Sequence, residues 1–168
     1  MAYLLKNIRS KIFEILPLIL MFFISLNGSS VINFKFFSIN ILYILIYFWV
    51  LRMPQTLGYG FIFISGIIND VVFGLPLGAS TLSLLIIAAT AAYARVVTVR
   101  ITLINDWLSF IPALLLANFV YFITLYFLDY SIDYFYMFRN SIFTFVFYPI
   151  LWIIFGVLLN FIKSESHV

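Results

Sequence analysis

The sequence predicts an all-α integral membrane protein, a bundle of six transmembrane helices, and three observations predict it. First, of 168 residues 65% are hydrophobic and only 9% charged, with a mean hydropathy of +1.19. A soluble domain carries about 25% charged residues and about 45–50% apolar ones. Second, the few charges punctuate the chain, and the gaps between them are long enough to span a bilayer, for which a helix needs about 20 apolar residues. Third, the basic residues gather in alternate gaps. No long polar segment interrupts the pattern, so residues 1–168 read as a single polytopic membrane domain.

Taken in order, the first span is expected over about residues 12–30, after Lys6, Arg9 and Lys11, with Glu14 snorkelling at the interface. No small-residue cleavage site follows this run and further spans continue it, so it reads as a span and not a cleavable signal. The second span covers about 34–51 and stops at Arg52; the third covers 57–73 and stops at glycine. The fourth, about 79–94, is rich in small residues, with Ala88 and Ala92 four apart, as Ala113 and Ala117 are in the fifth. That spacing lets helix backbones approach closely in lipid. Helices one, two and six, dominated by Phe, Ile and Leu, are expected to face lipid or a partner. The fifth span runs over about 103–128, with Asn118 in its middle requiring an interhelical hydrogen bond, and the sixth over 141–162. Pro17, Pro112 and Pro149 fall inside spans and are expected to kink them. Between the last two spans, Asp129, Asp133 and four aromatics make an interfacial belt or a docking surface.

Orientation follows from the cations. With the N-terminus in the cytoplasm, Lys6, Arg9, Lys11, Arg52, Arg95, Arg100 and Lys163 lie inside and only Lys35 and Arg139 outside. Seven against two is a positive-inside bias, and an even number of spans brings both termini to the cytoplasm.

The segment with the most information is Gly66-Ile-Ile-Asn-Asp70-Val-Val-Phe-Gly74-Leu-Pro76-Leu-Gly78. On a helix, Gly66, Asp70 and Gly74 stack at i, i+4 spacing, so the acid stands on a stripe otherwise without side chains. A neighbouring helix can pack against such a stripe, and Asp70 can hydrogen-bond to that neighbour instead of facing lipid. Arg139, on the same side, is the expected ionic partner. The Gly74–Gly78 stretch is expected to be a tight turn, since glycine accepts the left-handed conformation at a helix end and proline cannot continue a helix.

Composition also excludes function classes. With no cysteine there is no disulfide, thiolate metal site or thiol nucleophile, and the only histidine, His167, stands in the tail. There is no phosphate-binding glycine loop, no dinucleotide fingerprint, no paired acids for hydrolysis or a two-metal site, and no basic patch for nucleic acid. No catalytic residue, metal or cofactor is therefore expected, and the chain does not read as an enzyme.

The run Gly66-x-x-x-Asp70-x-x-x-Gly74-x-Pro76-x-Gly78, followed by Leu82, resembles the signature of MreD, the rod shape-determining membrane protein family of bacteria. Length, six apolar spans and cytoplasmic termini agree with that family over essentially the whole chain. The resemblance implies a fold similar to the substrate-binding subunits of energy-coupling-factor transporters, without their transport role. It also implies a non-catalytic member of the elongasome in the bacterial inner membrane, which binds MreC and through it meets MreB, RodA and a class B penicillin-binding protein. Such a protein maintains rod shape by organising lateral peptidoglycan synthesis. By position, Gly66, Asp70, Gly74, Pro76 and Gly78 carry over as the signature, a partner-binding or helix-packing motif. The stripe of small residues around Asp70, and not the resemblance, makes that residue the expected contact to MreC.

The alternative is a substrate-binding subunit of an energy-coupling-factor vitamin transporter. Such subunits commonly present Ala-x-x-x-Ala on the first helix, where this chain reads Ile-Leu-Pro-Leu-Ile-Leu-Met-Phe-Phe-Ile-Ser. A vitamin site also needs convergent polar groups near the outer side, and there the sequence offers Asp70, Asn69 and the Asp129 to Asp133 loop.

Overall fold

The computed structural model describes residues 15–33, 37–98, 102–131 and 133–166, with side chains to residue 160. Lys6, Arg9, Lys11, Glu14, Lys35, Arg100, His167 and the side chain of Lys163, to which the sequence assigns roles, lie outside what is described. Six helices follow one another: α1 (Ile15–Leu26), α2 (Ile41–Arg52), α3 (Tyr59–Phe73), α4 (Ala79–Val97), α5 (Leu103–Phe127) and α6 (Tyr134–Ser166). Three of them, α4, α5 and α6, are long and apolar enough to cross a membrane, and α1, α2 and α3 are shorter apolar helices. The chain is thus predominantly α-helical, with three helices able to span a membrane by length and composition.

The boundaries expected from the sequence hold best where glycine or a cap decides them. Helix α3 ends at Gly74, α4 begins directly after Gly78, and α5 starts behind Thr102, whose hydroxyl accepts from the Asn105 N–H. Three expectations need correction. The first helix does not continue to residue 30: Gly28 takes a left-handed φ of 64°, and the Ser29 N–H reaches back to the Ile24 carbonyl, closing the helix in a Schellman-type turn.

The second correction concerns the region between α1 and α2, where a helix was expected from residue 34. A two-stranded antiparallel hairpin stands there, β1 (Val31–Asn33) against β2 (Ser38–Asn40), with Ile32 opposite Ile39. Helix α2 starts only at Ile41, because the Asn40 side chain caps the Tyr43 N–H. Its 12 residues are about 18 Å long, short of a hydrocarbon core of about 30 Å. In the third, α6 begins at Tyr134 and not at 141, since Asp133 accepts from the Tyr136 N–H and starts the helix early.

Helix α2 is also not a peripheral helix. Every residue from Leu42 to Leu51 is buried, and α4, α6 and β1 pack against it. A helix apolar on all sides belongs in the interior of a bundle or in lipid, and here the interior holds it. Tyr47 meets Phe110 and Tyr148 edge-on, while Phe48 and Trp49 pack against Phe155. Around this axis α4 packs on α5, and Ala88 and Ala91 on α4 and Ala113 and Ala117 on α5 are fully buried, with too little side chain to hold backbones apart, whereas Ala92 is half-buried. Asn118 makes its expected interhelical bond, donating to Ser141 Oγ at 2.9 Å. Outward faces remain apolar, with Phe119, Ile153 and Ile154 among many exposed hydrophobic side chains, as a lipid-facing surface requires.

Candidate functional site

The Gly66 to Gly78 segment forms the joint between α3 and α4. At Gly66 the helices come so close that a Cβ would stand 2.5 Å from the Thr81 Cα, so no other residue fits without moving α4. Gly74 takes φ 63° and Gly78 φ 105°, both in the left-handed region that a side chain disfavours. Between them, the Pro76 carbonyl accepts from the Ala79 N–H, and the proline ends any continuation of α3.

Asp70 holds both sides of this joint. Its backbone carbonyl accepts from the Leu75 N–H at 2.8 Å and closes the end of α3. Its side chain, fully buried, receives the start of α4: Oδ1 accepts from the Ser80 N–H at 2.7 Å. Oδ2 accepts from the Gly78 N–H at 2.8 Å, the Thr81 hydroxyl at 2.9 Å and the Thr81 N–H at 3.4 Å. The first N–H groups of a helix have no intrahelical acceptor, and the helix dipole is positive there. Asp70 is therefore an N-cap for α4 supplied from α3, and both of its oxygens are engaged inside the fold. Arg139, its expected ionic partner, instead lies over the rings of Phe135 and Tyr136 at 5.9 Å.

Beside Asp70, Asn69 donates to Ser80 Oγ at 3.1 Å and borders a cavity of about 300 Å³ at the hairpin end of the bundle. Here the C-terminal ends of α1, α3 and α5 meet the N-terminal ends of α2, α4 and α6. The polar lining is much richer than the sequence suggested, because Asn40, Asn118 and Asn140 join Asn69, and Tyr43, Tyr121, Tyr130 and Tyr136 join them. Asp133 lines it as well, whereas Asp70 faces the joint.

The opposite end carries a polar cluster that the sequence reading missed. Asp106 on α5 is 1% exposed and accepts from the Arg52 guanidinium at 3.0 Å and from the Trp152 indole N–H at 2.8 Å. Arg52 lies between the rings of Phe48 and Trp152, its Cζ 4.8 Å from each ring centre. The Tyr47 hydroxyl donates to Ser109 Oγ, which in turn donates to the Asp106 carbonyl. One carboxylate thereby ties α2, α5 and α6 together. The signal was available: a topology that puts Arg52 and the start of α5 on one side also puts Asp106 within reach.

No family model, curated protein or solved structure matches this chain. Among the described residues no group of three or more His, Asp or Glu side chains is placed to hold a metal ion.

Proposed function

We propose that this chain is an MreD-type scaffold of the bacterial elongasome, a non-catalytic protein of the inner membrane. In this reading all six helices are membrane-embedded, both termini face the cytoplasm, and the hairpin end faces outward. The protein binds MreC, and through it MreB, RodA and a class B penicillin-binding protein, so that lateral peptidoglycan synthesis maintains rod shape. One observation carries the reading: each residue of the family-like motif does architectural work at the α3–α4 joint. Gly66 permits the close approach, Gly74 and Gly78 supply the left-handed turns, and Asp70 is saturated by the α4 N-terminus. A signature that builds a joint suits a protein whose task is to present a shape to partners.

The burial of Asp70 modifies the expected role of that residue. Its effect on MreC runs through the geometry of the joint and not through contact. A mild-detergent pull-down of the tagged protein from native membranes, with mass spectrometry of what accompanies it, tests the reading. MreC and wall-synthesis proteins are expected with the wild type. With Asp70→Ala, recovery and thermal stability are expected to fall together; lost recovery at unchanged stability would restore the direct contact. Recovery of an ATPase with a transmembrane coupling subunit would replace the scaffold reading by the transporter one.

A further inference from the structure

A cleft opens at the end of the bundle opposite the hairpin, where α2 and α4 finish and α3 begins. Its volume of about 680 Å³ lies within the range of about 300–1,000 Å³ usual for ligand sites, and it has room for roughly twenty non-hydrogen atoms. Arg52 and Arg95, in the last turns of α2 and α4, both line it. A cation in the last turn of a helix is favourable in itself, because the carbonyl end of the helix is negative. That accounts for an arginine at each helix end, but not for the cleft they share or for its other walls.

The two arginines are held differently. Arg52 is fixed by Asp106 at 3.0 Å and lies between the rings of Phe48 and Trp152, so 17% of its side chain is exposed and its charge is already matched. Arg95 is exposed, and among the described residues none pairs with or bonds to its guanidinium. Beside them the turn after α2, closed by the Thr56 N–H donating to the Met53 carbonyl at 3.1 Å, brings the Gln55 amide and the Thr56 hydroxyl to the same cleft. These groups together offer several donors around one open cation.

The remaining wall is apolar. Ile15 and Leu18 on α1 and Phe61 on α3 line it, and Ile15 and Phe61 are about half exposed, at 49% and 47%. Phe61 meets Phe22 of α1 edge-on at 6.4 Å, so α1 and α3 present one hydrocarbon surface beside the arginines. A free anion would satisfy Arg95 and leave this surface against water, and so would a hydrophilic acidic peptide. A phospholipid supplies an anion joined to hydrocarbon, at the level where helix ends meet headgroups, and basic pockets between membrane helices are known to take such headgroups. Arginine also meets phosphate oxygens with paired N–H groups. We propose that this cleft seats the headgroup of an anionic phospholipid, with its phosphate on Arg95 and the start of an acyl chain along Ile15, Leu18 and Phe61.

The test is native mass spectrometry of the full-length protein in mild detergent, titrated with phosphatidylglycerol or with phosphatidylcholine of the same acyl chains. The first phosphatidylglycerol is expected to bind severalfold more tightly than phosphatidylcholine, and to raise the melting temperature more. Arg95→Gln, at an exposed position, should melt like the wild type without lipid, yet bind phosphatidylglycerol about fivefold more weakly and phosphatidylcholine equally well. Arg95→Lys, which keeps the charge, should retain most of the preference, and Arg139→Gln at the other end of the bundle should retain all of it. Equal binding of the two lipids would overturn the proposal, as would a preference indifferent to Arg95→Gln or lost equally with Arg139→Gln. Displacement of the lipid by millimolar inorganic phosphate would assign the cleft to a free anion and overturn the lipid as its occupant. None of these outcomes depends on which proteins accompany the chain in a pull-down, so this proposal and the scaffold reading fail separately.

Discussion

Asp70 and Asp106 are both almost wholly removed from solvent, at opposite ends of the bundle, yet their negative ends are met by different chemistry. Asp70 is met by the backbone: the N–H groups of Gly78, Ser80 and Thr81 converge on it, with the Thr81 hydroxyl as the one side-chain donor. Asp106 is met by side chains alone, the Arg52 guanidinium and the Trp152 indole. A backbone cradle cannot be mutated away or replaced, whereas a side-chain pair can be exchanged as a unit. The first arrangement defines where a helix starts, and the second clamps helices that already exist.

The largest effect separating the two is expected from Arg52→Ala, which leaves Asp106 buried without its counter-ion and should cost about 3–5 kcal/mol. Replacing the pair together, as Arg52→Met with Asp106→Leu, should recover most of that loss, since apolar replacements for buried pairs are often neutral or stabilising. Denaturant unfolding in mixed micelles reads both, and a double variant no more stable than Arg52→Ala would break the distinction.

Next comes Asp70→Ala, with a loss of about 3 kcal/mol, because several buried donors at the start of α4 then lack an acceptor. Here no second substitution should restore stability, since the orphaned donors are peptide N–H groups. The smallest effects are expected from Thr81→Val and Trp152→Phe, each removing one hydrogen bond to a buried carboxylate for about 2 kcal/mol. In a double-mutant cycle, Thr81→Val should add little once Asp70 is alanine, and a fully additive pair would show that the hydroxyl does not act through the carboxylate.

How far the fold could be read from the sequence varied along the chain for physical reasons. The α3–α4 joint was legible because glycine at positive φ and proline after a helix leave few backbone options. The β1–β2 hairpin was not, because Ile39 belongs to an apolar run from residue 34 that a spanning helix also satisfies, and Val31 to Asn33 are too few to announce a strand. Helix α2 was placed outside and lies at the centre, since a helix without a polar face carries no sign of whether lipid or protein surrounds it. The cavity escaped notice because its four asparagines, Asn40, Asn69, Asn118 and Asn140, come from four elements far apart in the chain: the cap of α2, then α3, α5 and α6. Only the alternation of helix directions brings them to one level. For Asp70 the stripe of small residues was visible, but the identity of its donors was not: they are main-chain groups, and every sequence has those.

The central position of α2 bears on how the chain is made. Its neighbours α4 and α6 follow it in the chain, and Tyr47 meets Tyr148 about a hundred residues further on. Helix α2, too short to cross a bilayer alone, therefore leaves the ribosome before the surfaces that bury it exist. Its residence until α6 arrives falls to the insertion machinery. Assembly of this bundle is consequently completed by α6, and a chain stopped before it leaves uncovered the side of α2 that carries Tyr47, Phe48 and Trp49 against Tyr148 and Phe155.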